Sequence, residues 1–138
     1  MSPELDERLC QKYPLIFQGR TDGDPRRTLM CYGFCHGDGW FNIIENLSEK
    51  IQAYCDEKKS QGEDFQVIAV QVKEKYGGLR FYVDGGDEYT DGLIRVAEVA
   101  SYETCEDCGV PGTLRQGGWW ATLCDKCDEE RNARRQDR

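Results

Sequence analysis

Two C-x2-C pairs, Cys105/Cys108 and Cys124/Cys127, stand 15 residues apart near the end of the 138-residue chain. That separation falls within the window for a four-cysteine zinc site. Each pair lets a tight turn aim two sulfurs at one metal, and Gly109 directly behind the first pair can take the positive φ such a knuckle needs. Between the pairs, TLRQGGWWAT carries a Gly117-Gly118 turn with β-compatible flanks, which reads as a hairpin joining two knuckles. After Cys127 the run DEERNARRQDR is acidic first and basic last, the order that suits a helix dipole. Knuckle, hairpin and helix predict a treble-clef or zinc-ribbon module with one structural zinc ion on Cys105, Cys108, Cys124 and Cys127. A tetrathiolate site is closed and leaves no position for a water or substrate, so it is read as a staple for a small core, not as hydrolytic chemistry.

The remaining composition sets the context for that staple. With 38% hydrophobic and 32% charged residues the chain is globular. It has no run of about 18–20 apolar residues that would span a membrane, and its opening MSPELDERLC lacks the basic and apolar blocks of a signal peptide. Cytoplasmic, reduced thiols are therefore expected instead of a secreted disulfide framework. The net charge of −8 lies almost entirely before Cys105. An acidic body of this kind repels phosphate backbones, which leaves room only for a local basic patch to bind nucleic acid.

The pattern along the chain predicts an α+β fold in three parts. Residues 1–35 read as a docked N-terminal arm with a short strand near Leu29–Phe34. Residues 36–103 read as a helix–β-hairpin–helix body, and 104–138 as the zinc module packed on it. Trp40, Ile43, Ile44, Leu47, Ile51, Tyr54 and Cys55 repeat at helical spacing, with Asp38 placed as an N-cap. A β-rich run from Val67 to Val72 and another from Leu79 to Val83 flank a Gly77-Gly78 turn candidate. A second helix, about Glu88 to Tyr102, would bury Leu93, Val96, Ala97 and Ala100.

Candidate ligand-binding residues lie in two places. Lys73 and Lys75 share one strand face, and Arg80 across the hairpin would bring a third cation to it, either as a phosphate or carboxylate site or as partners for Glu74 and Asp84. Trp119 and Trp120 could stack bases, although strand alternation would send one of the two into the core. Arg131, Arg134 and Arg135 read as a solvated helix end beside Glu129 and Glu130. Cys31, Cys35 and His36 with Cys10 or Cys55 could make a second metal site, but Cys55 lies on an apolar helix face, and the buried-hydrophobe reading is preferred. Enzymatic readings rank last: a thiol pair Cys35/His36, or a divergent metal-dependent nuclease using Asp38, Glu45, Asp64 and Lys73.

The series GDGWFNIIENL, VQVKEKYGGLRFY, AEVAS and CEDCGVPG…GWWATLCDKC resembles a family of small uncharacterised proteins encoded by bacteriophages and prophages. The resemblance covers about residues 30 to 127. In similar sequences the last metal position can be His, and here Cys127 keeps a competent ligand. The resemblance implies an accessory phage protein acting in the bacterial host cytoplasm. Together these readings predict a noncatalytic zinc-binding interaction protein whose partner is a host or phage protein, with inhibition of a host or defence protein as one form. The alternative is a module binding a phosphate ligand, nucleotide or nucleic acid through Lys73, Lys75, Arg80, Trp119 and Trp120. No membrane partner is expected.

Overall fold

A computed structural model describes residues 1–136. The chain opens on helix α1 (Pro3–Lys12), whose Ser2 cap accepts a hydrogen bond from the Leu5 N–H. Pro3 takes the first helical position, where a missing N–H costs nothing, and Glu4 and Asp6 complement the dipole. This helix lies within the segment expected to be a docked arm. Leu9, Tyr13, Ile16, Phe17, Met30 and Phe34 from that segment join the main core, so the first 35 residues are built into the body. Its one strand, β1 (Phe34–Cys35), pairs in parallel with the hairpin.

Helix α2 (Phe41–Ser60) carries the predicted apolar stripe and buries Phe41, Ile44, Leu47, Ile51 and Cys55. Asp38 does not cap it. A 3₁₀ turn, Asp38–Trp40, leads into the helix, and the Asp38 carboxylate instead accepts the Ser2 N–H at 2.7 Å. The hairpin follows as β2 (Ile68–Lys75) and β3 (Gly78–Asp84). Lys75 pairs with Gly78, so the two central turn residues are Tyr76 and Gly77, not the predicted Gly77-Gly78. Both have positive φ, 54° and 84°, as the tightest twist-compatible hairpin turn requires.

The three strands form one sheet in the order β1-β2-β3. Val72 pairs with Phe81 on the face turned to the core, and both are buried together with Leu79. Alternation then sends Lys73, Lys75, Arg80 and Tyr82 to the opposite face, where none of them is buried.

Helix α3 (Glu88–Ser101) begins in a capping box between Asp87 and Thr90. Its buried stripe is Thr90, Ile94, Ala97 and Ser101, whereas Val96 is 68% exposed. The predicted apolar face was rotated because two of the four inward residues are hydroxyls with polar work to do. Thr90 closes the cap, and Ser101 Oγ accepts the Leu79 N–H at 2.8 Å. The Glu98 carboxylate accepts the Phe81 N–H at 3.1 Å. In this way α3 satisfies the outer edge of β3, which would otherwise be open to pairing with another strand.

The C-terminal module is a two-stranded sheet, β4 (Thr113–Arg115) and β5 (Ala121–Leu123), followed by α4 (Asp125–Gln136). Among the described residues its own apolar core is Cys105, Ala121, Leu123 and Cys127, with Cys124 packed against it. The GDGW run explains how so small a unit is held. The Gly39 N–H donates to Glu106 O at 2.7 Å, the Gly37 N–H to the Glu106 carboxylate at 2.9 Å, and the fully buried Trp40 donates its indole N–H to Thr104 O at 3.0 Å. On the other side, buried Thr122 donates its hydroxyl to Gly77 O at 2.6 Å. The two motifs that stand out in the sequence are therefore both docking surfaces for the cysteine module.

Candidate metal centre and adjoining groove

Local backbone geometry brings the four predicted cysteines to one point. Gly109 has φ 86° and its N–H donates to Cys105 O, which closes the first knuckle. The second pair straddles the start of α4, where the Cys127 N–H points at the Cys124 sulfur at 3.4 Å. All four Sγ atoms lie within 4.8 Å of one another. The Cys108–Cys124 sulfur separation is 3.7 Å, close to the ~3.8 Å edge of a tetrahedron with 2.3 Å zinc–sulfur bonds.

Without an ion among them the four sulfurs do not ionise alike. Burial works to raise the Cys105 thiol, but backbone N–H groups of Cys124, Cys108 and Asp107 outweigh it and bring the group down to about 7. Cys127 moves the other way, pushed up by burial and then by the three neighbouring sulfurs. Four thiolates this close repel unless a positive ion sits among them. The donor set therefore fits a metal ion, with four soft sulfur ligands in a closed arrangement.

The other candidates are not assembled. Among the described residues, Cys10, Cys31, Cys35 and Cys55 do not join this or a second cluster. Cys10 donates to the Asp6 carboxylate, and burial followed by that carboxylate pushes its thiol up to about 12. Cys31 and Cys35 face backbone carbonyls, and Cys55 is fully buried. His36 is buried against Trp40 with Nδ1 on Gly37 O and Nε2 without a partner, and burial lowers it to about 4. It makes no contact with the Cys35 sulfur that would serve as a base. Asp38 and Glu45 are engaged by Ser2 and Lys12, and among the described residues Asp38, Glu45 and Asp64 do not gather into a cluster that could hold a metal ion.

The predicted ligand-binding residues do converge. Lys73, Lys75, Arg80, Trp119 and Trp120 line one groove of about 1030 Å³ between the hairpin and the cysteine module. Tyr76, Tyr102, Glu74 and Leu114 complete its walls. Lys73 pairs directly with Arg80 across the strands. Among the described ion pairs none involves Lys73, Lys75 or Arg80. Arg80 is positioned instead by Leu79 O at 2.9 Å and the Tyr102 hydroxyl at 3.1 Å. The expected partner Glu74 is occupied by the Gly77 N–H at 2.7 Å.

Neither tryptophan is core. Trp119 is 73% and Trp120 40% exposed. The alternation rule failed because both precede β5, Trp119 within the bend that Gly117 and Gly118 begin and Trp120 in the irregular position after it. Arg131 also departs from expectation: it is not a solvated helix end but grips the Asp107 carboxylate with two bonds of 2.6 and 2.8 Å. Tyr76 and Tyr102 were missed as groove residues. The signal available for Tyr76 was its place directly before a glycine at the hairpin tip.

The fold and site define a small α+β protein in which four clustered cysteines can hold a metal ion beside a cationic, aromatic groove. No protein-family model, curated protein or solved structure matches the sequence. Among the described residues no helix is long and apolar enough to cross a membrane.

Proposed function

We propose that this is a noncatalytic zinc-binding protein, in which one zinc ion on Cys105, Cys108, Cys124 and Cys127 holds a treble-clef-like module against the body, and the groove between them binds an anionic ligand. The observation that carries this reading is the groove itself. Three cations that make no ion pair among the described residues and two exposed tryptophans, far apart in the chain, face one concave space in a protein of net charge −8. An acidic surface needs only one such pocket to retain an anion by charge-assisted hydrogen bonds.

Intrinsic fluorescence offers a direct test, since two of the three tryptophans line the groove and the third, Trp40, is buried. Titration with pyrophosphate and with nucleoside triphosphates is expected to quench the exposed pair. Lys73→Ala combined with Arg80→Ala removes two charge-assisted contacts, each worth about 1.5–3 kcal/mol, so affinity should fall by about a hundredfold or more. Unchanged binding in the double variant would remove the groove from the account.

A second reading keeps the predicted role of an accessory phage protein that docks on a host or phage protein. What favours it is the outward face of α3, where Tyr89, Val96 and Val99 are 55%, 68% and 59% exposed. Affinity purification from bacterial cells tests it. A stoichiometric protein retained by the wild type and lost from Val96→Asp/Val99→Asp would place the partner on α3, and equal recovery with both would reject that surface.

A further inference from the structure

The groove's rim contains a conformational cost at an exposed residue. Tyr76 holds φ 54° at the first central position of a two-residue turn. Asn, Asp and Gly take that position readily, while a bulky side chain there is an outlier. Burial gives no compensation, because Tyr76 is 65% exposed. Its ring stands edge-on to Trp120, centroids 6.2 Å apart, with Lys75 Nζ 5.6 Å from its own centroid. Strain kept at an exposed position beside a pocket points to use.

Resting on the groove reading above, we infer that the ligand is a nucleoside phosphate, its base stacked on the Tyr76/Trp120 pair and its phosphate held by Lys73, Lys75 and Arg80. Stacking tolerates any flat base, and the cations lie on the adjoining sheet face within the same groove. A space of about 1030 Å³ is larger than phosphate alone would fill and is of the size that takes a nucleotide. The same unit occurs free or within a single strand of nucleic acid. The free form is favoured, because beyond the groove the cations of the sheet's far end are cancelled: Arg26 and Arg27 are paired with Asp24 and Asp22, and Asp84 adds a further negative charge.

The experiment compares a nucleoside triphosphate, the bare nucleoside, pyrophosphate and an oligothymidylate by calorimetry on the full chain. The nucleotide should bind about tenfold or more tighter than either half alone. Tyr76→Asn should abolish that advantage while raising the melting temperature by about 4 °C, since Asn-Gly suits this turn. Tyr76→Phe should keep the affinity. Gain of stability with loss of binding is an outcome a purely structural tyrosine would not give. Pyrophosphate binding as tightly as the nucleotide, or nucleotide affinity unchanged in Tyr76→Asn, overturns the stacked base while leaving the anion groove standing. Absence of binding by every anion overturns both. A tenfold preference for the oligonucleotide keeps the nucleoside phosphate and assigns its source to a strand.

Discussion

Cys124→Ser, or removal of the proposed zinc ion by a chelator, is expected to unfold residues 105–136 while the body stays folded. The reason is the imbalance between the two cores. The body buries a continuous cluster from Leu9 to Ala97, including Trp40, Ile44, Ile51, Val72 and Leu79. Among the described residues the module's apolar core is four residues, two of them cysteines, far too little apolar area to offset the ordering of some thirty residues. Bound zinc contributes about 10–16 kcal/mol of apparent folding free energy in small modules of this kind. Without it, Leu123 and Ala121 cannot hold β5, and Thr122 releases Gly77. The groove then loses the wall carrying Trp119 and Trp120 and should lose its ligand. Amide hydrogen exchange with and without chelator measures this directly: protection should vanish from β5 and α4 and persist in α2 and β2. Full protection of β5 and α4 in a metal-free Cys124→Ser protein would show that the module needs no staple.

Gly39→Ala should be the most damaging single methyl in the body. A Cβ at Gly39 would overlap the Cys105 carbonyl oxygen and stand 2.6 Å from the Gly109 nitrogen. Those neighbours are backbone, fixed in the first cysteine knuckle, and have no rotamer by which to yield. Relief requires the knuckle to move, which breaks the Gly39–Glu106 hydrogen bond and uncovers Trp40. We expect a loss of about 3 kcal/mol, the upper range for overpacking, read as a fall of about 10 °C in melting temperature. Gly92→Ala is the matched control. Gly92 lies within α3 with nothing inside 4 Å of its Cβ position, so alanine there should stabilise by about 0.5–1 kcal/mol. Equal melting temperatures for the two variants would mean that the Gly39 approach is not tight in solution.

What could be read from the sequence was whatever a local rule carries. The cysteine quartet was legible because ligand identity and spacing are both local, and α2 because its apolar repeat spans the whole helix. The α+β class followed from those elements and the hairpin. Helix α1 was legible but passed over: only Leu9 is buried, so periodicity is silent, yet Ser2, Pro3 and the acidic first turn are helix-start signals. The face of α3 was misjudged because Thr90 and Ser101 point inward to bond backbone, and an apolar count skips hydroxyls. The docking role of Gly37 and Gly39 had no local signature at all, since a close approach is defined by its partner. The groove fell between these cases. Each of its five predicted residues could be singled out by type, but their meeting depends on Thr122 reaching Gly77 across 45 positions.

The same long reach orders events during synthesis. Gly37 and Trp40 leave the ribosome 69 and 64 residues ahead of Glu106 and Thr104, the groups that cover them. At about 5–20 residues per second that interval lasts roughly 3–14 s. For those seconds Gly37 and the Trp40 indole N–H wait for their partners, and the body itself is completed only when α3 is made, a few residues before Thr104 and Glu106. A metal ion on the four cysteines would enter last, because Cys124 and Cys127 follow every residue of the body in the chain, and its supply would then decide how many newly made chains close.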